Sequence, residues 1–319
     1  MSCGFNNNII LNNKIKKKYK SSVLGLIEVP LYLEETIKGI TIKIINVKQY
    51  NLQYQLNYNV NYLKNFNSSM AQDNSPAIDI FFNIKNYLEF LYNKLGKINI
   101  NNTSYIIALW NVDNLDNAFW TGSYMVFGNG KQEFKPLVSP DVVSHELTHG
   151  LIQTINNLEY KGHSGALNES FSDVVAVMFE FFLYDKYNND ENIYNNLLGK
   201  ADWFIGEDIT INRPSLRNFI EPNKQKQPQK INGKYYINPN NLIYDYGGVH
   251  INSGIINHLF YLLCLNNNYS DIFQLWYRVY KKMNNKSTFD DFKNIILREV
   301  PVVYYDKLKE CLIKVGFNI

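Results

Sequence analysis

The order of apolar and polar positions divides the chain into a strand-rich front and a helical back. Ile42 to Val47 and Leu52 to Val60 carry alternating apolar residues and predict strands, and the polar, breaker-containing stretch Ser68 to Pro76 predicts a loop. From Ala77 to Leu95 the period becomes helical, with Ile80, Ile84, Tyr87, Leu88, Leu91 and Leu95 on one stripe. Tyr105 to Trp110 predicts an apolar strand. Tyr124 to Phe127 and Lys131 to Phe134, about the turn Gly128-Asn129-Gly130, predict a hairpin. A helix ending near Asn156, a glycine-bearing loop from Tyr160 to Gly165 and a long helix from Ala166 to Tyr184 follow. Asn188 to Leu198 is polar and reads as an insertion, and Asn223 to Asn241 as a loop around a hairpin. Helices are then predicted over Ile251 to Leu265, Ser270 to Lys282, Ser287 to Val300 (with Ser287 to Asp290 as a capping box) and Tyr304 to Val315. The pattern predicts an α+β fold of two lobes: an N-terminal segment 1–65, a strand-rich lobe 66–157 and a helical lobe 158–319.

The stretch from Asp141 to Gly150 changes the picture from architecture to chemistry. It contains His145, Glu146 and His149, and residues four apart on a helix lie on one face. Two imidazoles can so meet one metal ion, with a carboxylate beside them to hold a water. Val142, Val143, Leu147, Leu151 and Ile152 anchor the helix, Ser139 is placed to cap it, Pro140 suits its first turn and Asp141 complements its dipole. A catalytic zinc takes three protein ligands and keeps a fourth position open. Glu169, on the next predicted helix, can supply the third ligand. Asp173, one turn on, can accept the second ring N–H of a ligating histidine.

Composition bounds this without redirecting it. The chain has 319 residues, 45% hydrophobic, enough for a large core in one big domain or two lobes around a cleft. A net charge of +3 calls for neither a nucleic-acid nor a membrane partner. The basic run Lys14 to Lys20 reads as a solvated face. Cys3, Cys264 and Cys311 form no framework and read as free thiols. No leader-like apolar run follows the first residues, so the sequence reads as cytoplasmic or as exported by a route without a classical leader.

These motifs together resemble the thermolysin family of zinc endopeptidases. The matching segments are Asn117 to Trp120, Asp141 to Gly150, Ser164 to Glu169, Ser172-Asp173, Asp202 to Asp208, Ser215 to Arg217 and Asp245 to Gly254, in order from about Ala77 to the end. The resemblance implies zinc on His145, His149 and Glu169, with Glu146 as the base. It implies Tyr160 and His250 as donors to the oxyanion and Asp245 as the partner that orients His250. Asn117, the Ala118 carbonyl and Arg217 would hold the substrate backbone. Phe134, Leu137, Val142, Ile205 and Leu216 would line a pocket for a large hydrophobic side chain just beyond the scissile bond. It also implies calcium on Asp141, Glu180, Asp202 and Glu207. The segment between Glu180 and Asp202 is longer than the family pattern, and the loop after Asp208 is shorter, so no further calcium is expected there. A peptide or protein substrate and a monomeric enzyme are implied. Length and the Leu115 to Gly128 region resemble the protealysin-like leaderless branch, which implies a short pro-segment within residues 1 to about 50 covering the cleft. The branch's Pro-Pro-Tyr-like element is absent. Cys3 as an inhibitory zinc thiolate is the alternative. His163 and His258 receive no role.

Overall fold

A computed structural model describes residues 16–21, 26–52, 58–96, 99–197 and 200–319. Strands β1 (Lys16–Lys20) and β2 (Leu26–Pro30) form an antiparallel pair. A five-stranded sheet is built from β3 (Glu34–Ile37), β4 (Ile40–Asn46), β5 (Tyr105–Val112), β6 (Ala118–Trp120) and β7 (Met125–Gly128), in the order β3-β4-β5-β7-β6. The pairs β4–β5 and β5–β7 are parallel, with Ile42 opposite Ile106 and Leu109 opposite Val126, and β6 is an edge strand antiparallel to β7.

Two sequence expectations fail here. Of the strand expected over Leu52 to Val60, the described residues carry none: Leu52, Tyr58 and Asn59 lie outside any strand, Val60 opens a short helix, α1 (Val60–Leu63), capped by Asn59, and residues 53–57 lie outside the described residues. The hairpin after Gly128 is also absent. Strand β7 pairs with β6 before it, while Asp116 accepts the backbone N–H groups of Lys131 and Gln132 and so takes donors a following strand would need. Phe134 makes a lone bridge to Thr210 instead.

Helix α2 (Pro76–Leu95) forms where its stripe predicts, with Ser75 at the N-cap, Pro76 in the first turn and Gly96 ending it at φ 81°. It lies between the sheet and α3 (Pro140–Ile155). Ser139 occupies the N-cap position of α3 with extended backbone, but its hydroxyl makes no cap hydrogen bond. Helix α4 (Gly162–Lys186) begins four residues before its expected start and absorbs most of the predicted loop. It is buried on nearly every side because α3 packs on one flank and α6 (Asp245–Cys264) on the other. The insertion carries a short helix, α5 (Glu191–Leu197). No hairpin forms within 223–241, where a 3-10 turn over Pro222–Gln225 leads into irregular chain. Helices α7 (Tyr269–Lys282), α8 (Phe289–Glu299) and α9 (Val302–Lys314) close the helical lobe. The capping box falls one residue later than expected, on Thr288 and Asp291. Among the described residues, no helix is long and apolar enough to cross a membrane. Cys264 and Cys311 are buried free thiols, and Cys3 lies outside the described residues.

Candidate metal centre and cleft

Helices α3 and α4 pack side by side and bring His145, His149 and Glu169 together, with one ligand atom of each within 4.8 Å of the others. The two imidazole rings stand at 89° with centroids 4.8 Å apart. Nε2 of His145 is 3.5 Å from Glu169 Oε2, and Nε2 of His149 is 3.5 Å from Glu169 Oε1. Ligand atoms at zinc bond lengths on neighbouring corners of a tetrahedron stand roughly 3.4 Å apart. The three residues therefore fit a small tetrahedral cation.

The groups behind the ligands are fixed as well. Asp173 Oδ1 lies 2.9 Å from Nδ1 of His145, and Nδ1–H of His149 donates to Asn168 Oδ1 at 2.8 Å, so each Nε2 faces the common point. Asp173 is itself held by Asn257 Nδ2 at 2.8 Å and by Arg217 at 3.0 Å. A second nitrogen of Arg217 donates to Glu169 Oε2 at 2.7 Å. Burial disfavours a charged Glu169, but His250, His145 and Arg217 outweigh it and hold its carboxyl well below the usual range. Burial likewise opposes protonation of His145, yet Asp173 and Glu169 carry it up to about 10. His149, dominated by burial, falls to about 4.

This centre forms the floor of a cleft of about 960 Å3. Glu146 borders it, accepting the Trp120 backbone N–H at 2.9 Å, and burial raises its carboxyl to about 7. Opposite, Tyr160 donates its hydroxyl to Glu169 Oε1, and Nε2–H of His250 donates to the Tyr160 oxygen at 2.9 Å. Asp245 Oδ1 accepts Nδ1–H of His250 at 2.6 Å. Burial works against the His250 charge, but Glu169 and Asp245 outweigh it and raise its pKa. Asn117, Ala118 and Arg217 lie on the walls, as do Phe134, Leu137, Val142, Ile205 and Leu216. Trp120, Ile209 and Gln227 also line it and were not singled out from the sequence; they come from loops and an edge strand whose approach no local period encodes. Among the described residues none before Asn117 lines the cleft, and residues 1–15 and 22–25 of the expected pro-segment region lie outside the described residues. His163 stacks on Phe289 with centroids 4.2 Å apart, and His258 donates to the Phe219 carbonyl at 2.7 Å, so both are held by packing away from the ligands.

A second group of acids converges beneath the cleft. Carboxylate oxygens of Asp141, Glu180 and Glu207 lie within 4.8 Å of one another. Oxygens bound to one calcium ion stand at most about 5 Å apart. Both oxygens of Glu180 and both of Glu207 are buried without a hydrogen-bond partner, a donor set that suits a cation. Asp202 stands at the margin, its Oδ1 accepting the Phe204 N–H at 2.7 Å. Asp208, which the sequence did not mark out, adds a further buried unpartnered oxygen and pairs with Lys200 at 3.2 Å. Burial, and then neighbouring acids, raise Glu180 well above its ordinary value, Glu207 to about 9 and Asp202 to about 6.

Family models match nearly the whole described chain: the thermolysin metallopeptidase catalytic domain over residues 27–153 and the alpha-helical domain of the same family over residues 156–313. The neutral protease NprE of Bacillus pumilus is 35% identical over 76% of this chain and 74% of its own length. The bacillolysin of Bacillus amyloliquefaciens is 36% identical over 72% of this chain, which spans only 41% of that protein. The structure is similar to that of the precursor of protealysin, a metalloproteinase from Serratia proteamaculans. The TM-score is 0.70 at 24% identity, covering 89% of this chain and 90% of that one, which speaks for the fold.

Proposed function

The chain belongs to the thermolysin family of metallopeptidases and is a metalloendopeptidase, and we propose that it cleaves peptide bonds ahead of large hydrophobic residues with zinc on His145, His149 and Glu169. One observation carries this reading: two imidazoles and one carboxylate meet at the floor of an open cleft at separations that suit zinc. Zinc bound there supplies Lewis acidity, which makes water a nucleophile near neutral pH and polarises a carbonyl.

The chain's own residues supply the rest. Glu146 takes the proton released by the attacking water and returns it to the leaving amine. Its place at the edge of the cleft beside the ligands, held by the Trp120 N–H, supports that role. Tyr160 and His250 donate hydrogen bonds to the oxyanion from the opposite wall, and Asp245 holds the His250 ring in its donating orientation. The open edge of β6 offers the Ala118 carbonyl to an extended peptide, with Asn117 beside it on the cleft wall. Arg217 keeps donors beyond those it gives to Glu169 and Asp173, and these hold a substrate carbonyl. Phe134, Leu137, Val142, Ile205 and Leu216 form the pocket for the residue after the scissile bond. Asp141, Glu180 and Glu207 would hold calcium, with Asp202 and Asp208 at the margin of the group. The substrate is a peptide or protein, and the enzyme works as a monomer. A zymogen form is supported by the likeness to the protealysin precursor over 90% of that chain.

The test is a casein digest by protein of measured metal content. We expect about one zinc per chain, turnover abolished by a zinc chelator and restored by added zinc. A folded protein that takes up no zinc, or digests casein equally in the chelator, would overturn the reading.

A further inference from the structure

We infer that Gln227 is a positioning residue for His250, gripping its backbone carbonyl from across the cleft wall so that the ring points at the oxyanion. This rests on the reading of His250 as an oxyanion donor.

The start of α6 does not hold His250 by ordinary helical geometry. Asp245, Tyr246, Gly247 and Gly248 all have left-handed backbone, with φ of 49°, 49°, 87° and 81°. The turn preceding His250 is therefore not an α-helical turn, and its place must be set from outside. Asp245 secures one side, its Oδ2 accepting the backbone N–H of His250 at 2.9 Å and of Ile251 at 3.0 Å. Gln227 secures the other. Its Nε2 donates to the His250 carbonyl at 2.6 Å and reaches Ser253 Oγ at 3.3 Å, while the Ser253 hydroxyl donates to the same carbonyl at 2.8 Å.

The surroundings are shaped for this contact. Gln227 follows the 3-10 turn, its own N–H donating to the Pro222 carbonyl at 3.0 Å. Its side chain is 4% exposed and crosses α6 at Gly254, where a Cβ would stand 2.7 Å from the Gln227 Cβ. The carbonyl of His250 can only accept, which fixes the amide nitrogen toward it. The amide oxygen is left buried without a hydrogen-bond partner.

The experiment measures kcat and KM on a quenched-fluorescence peptide containing a Phe–Leu bond, with zinc content as the control for folding. The variants are Gln227→Met, His250→Phe and the pair combined. Gln227→Met should lower kcat about tenfold with KM within about twofold, because only the alignment of a transition-state donor is lost. In the His250→Phe background the second substitution should cost nothing further. A wild-type kcat for Gln227→Met, or effects that multiply in the double variant, would overturn the inference. An unchanged kcat for His250→Phe alone would instead remove the oxyanion reading on which it stands. Should Gln227→Met yield no zinc-loaded protein, Gln227→Glu decides, since it keeps the stem and the volume. Its carboxylate faces the His250 carbonyl, so kcat should fall at least about tenfold, and an unaltered kcat would overturn the inference.

Discussion

The two clusters of metal-binding character both draw on α3 and α4, the second completed by Glu207 from outside any helix, yet they are built in opposite ways. At His145, His149 and Glu169, the carboxylate and the Nδ1 side of each ring meet further protein groups: Arg217 and Tyr160 on Glu169, Asp173 on His145, Asn168 on His149. Negative charge is balanced by Arg217 and the histidines even before a cation arrives. At Asp141, Glu180 and Glu207 the carboxylates face one another, and Lys200 approaches only at the edge, on Asp208. The first cluster is preorganised and opens on a cleft, as catalysis requires. In the second, burial and neighbouring acids raise the carboxyls, and the calcium proposed there would offset that repulsion and add stability.

The sharpest break in that comparison is expected from Glu146→Gln. It leaves the ligand set whole, so zinc content should stay at wild-type level while kcat falls by roughly 10²–10⁴-fold. Turnover retained by a zinc-loaded variant would remove Glu146 as the base. Next comes Asp173→Asn, which touches no cation directly but loosens His145 and one Arg217 contact. Zinc affinity, read by competition with a chromophoric chelator, should weaken roughly 10–100-fold. Unchanged affinity would mean that the buried carboxylate is merely structural.

The second cluster is probed by removing calcium. At a thousandfold excess over Kd a bound ion adds ~4 kcal/mol, and at ~2–4 °C per kcal/mol its removal should lower Tm by about 10 °C. The loss should depend on pH. Asp202 rises from 3.8 to about 6 and Glu207 from 4.5 to about 9 in the folded, cation-free protein. A folded pKa above the unfolded one favours folding only while the group stays protonated. This stabilisation is complete below about pH 4 and is lost as pH rises through 6 and then 9. Calcium-free protein should thus melt lower at each step across that window, with calcium-loaded protein nearly flat. Equal melting of the two forms at alkaline pH would contradict a cation site. The smallest effect is expected in the pocket, where half-buried Leu216→Ala should shift preference toward larger aromatic residues by roughly tenfold, read from kcat/KM on paired peptides. Unchanged ratios would place the pocket elsewhere.

Much of the catalytic cluster was legible because its geometry is local. His145 and His149 are one helical turn apart, and Glu169 and Asp173 sit one turn apart on the following helix, so packing two consecutive helices suffices to assemble them. The hairpin was misread because partner choice in a sheet is not local. Tyr124 to Phe127 has strands available on either side in sequence, and the side chain of Asp116, fifteen residues before Lys131, decides against the later one. Asp208 was missed because an acid next to another acid looks solvated until its surroundings are buried.

Sequence by itself determined the helices, their buried faces, the imidazole pair and the family. Tertiary structure alone decided that Asp208 joins the second cluster, and that Gln227 grips His250 from the side opposite Asp245. The reason is physical: helical periodicity is written in neighbouring residues, whereas the convergence of like charges depends on segments brought together by the burial of the whole core.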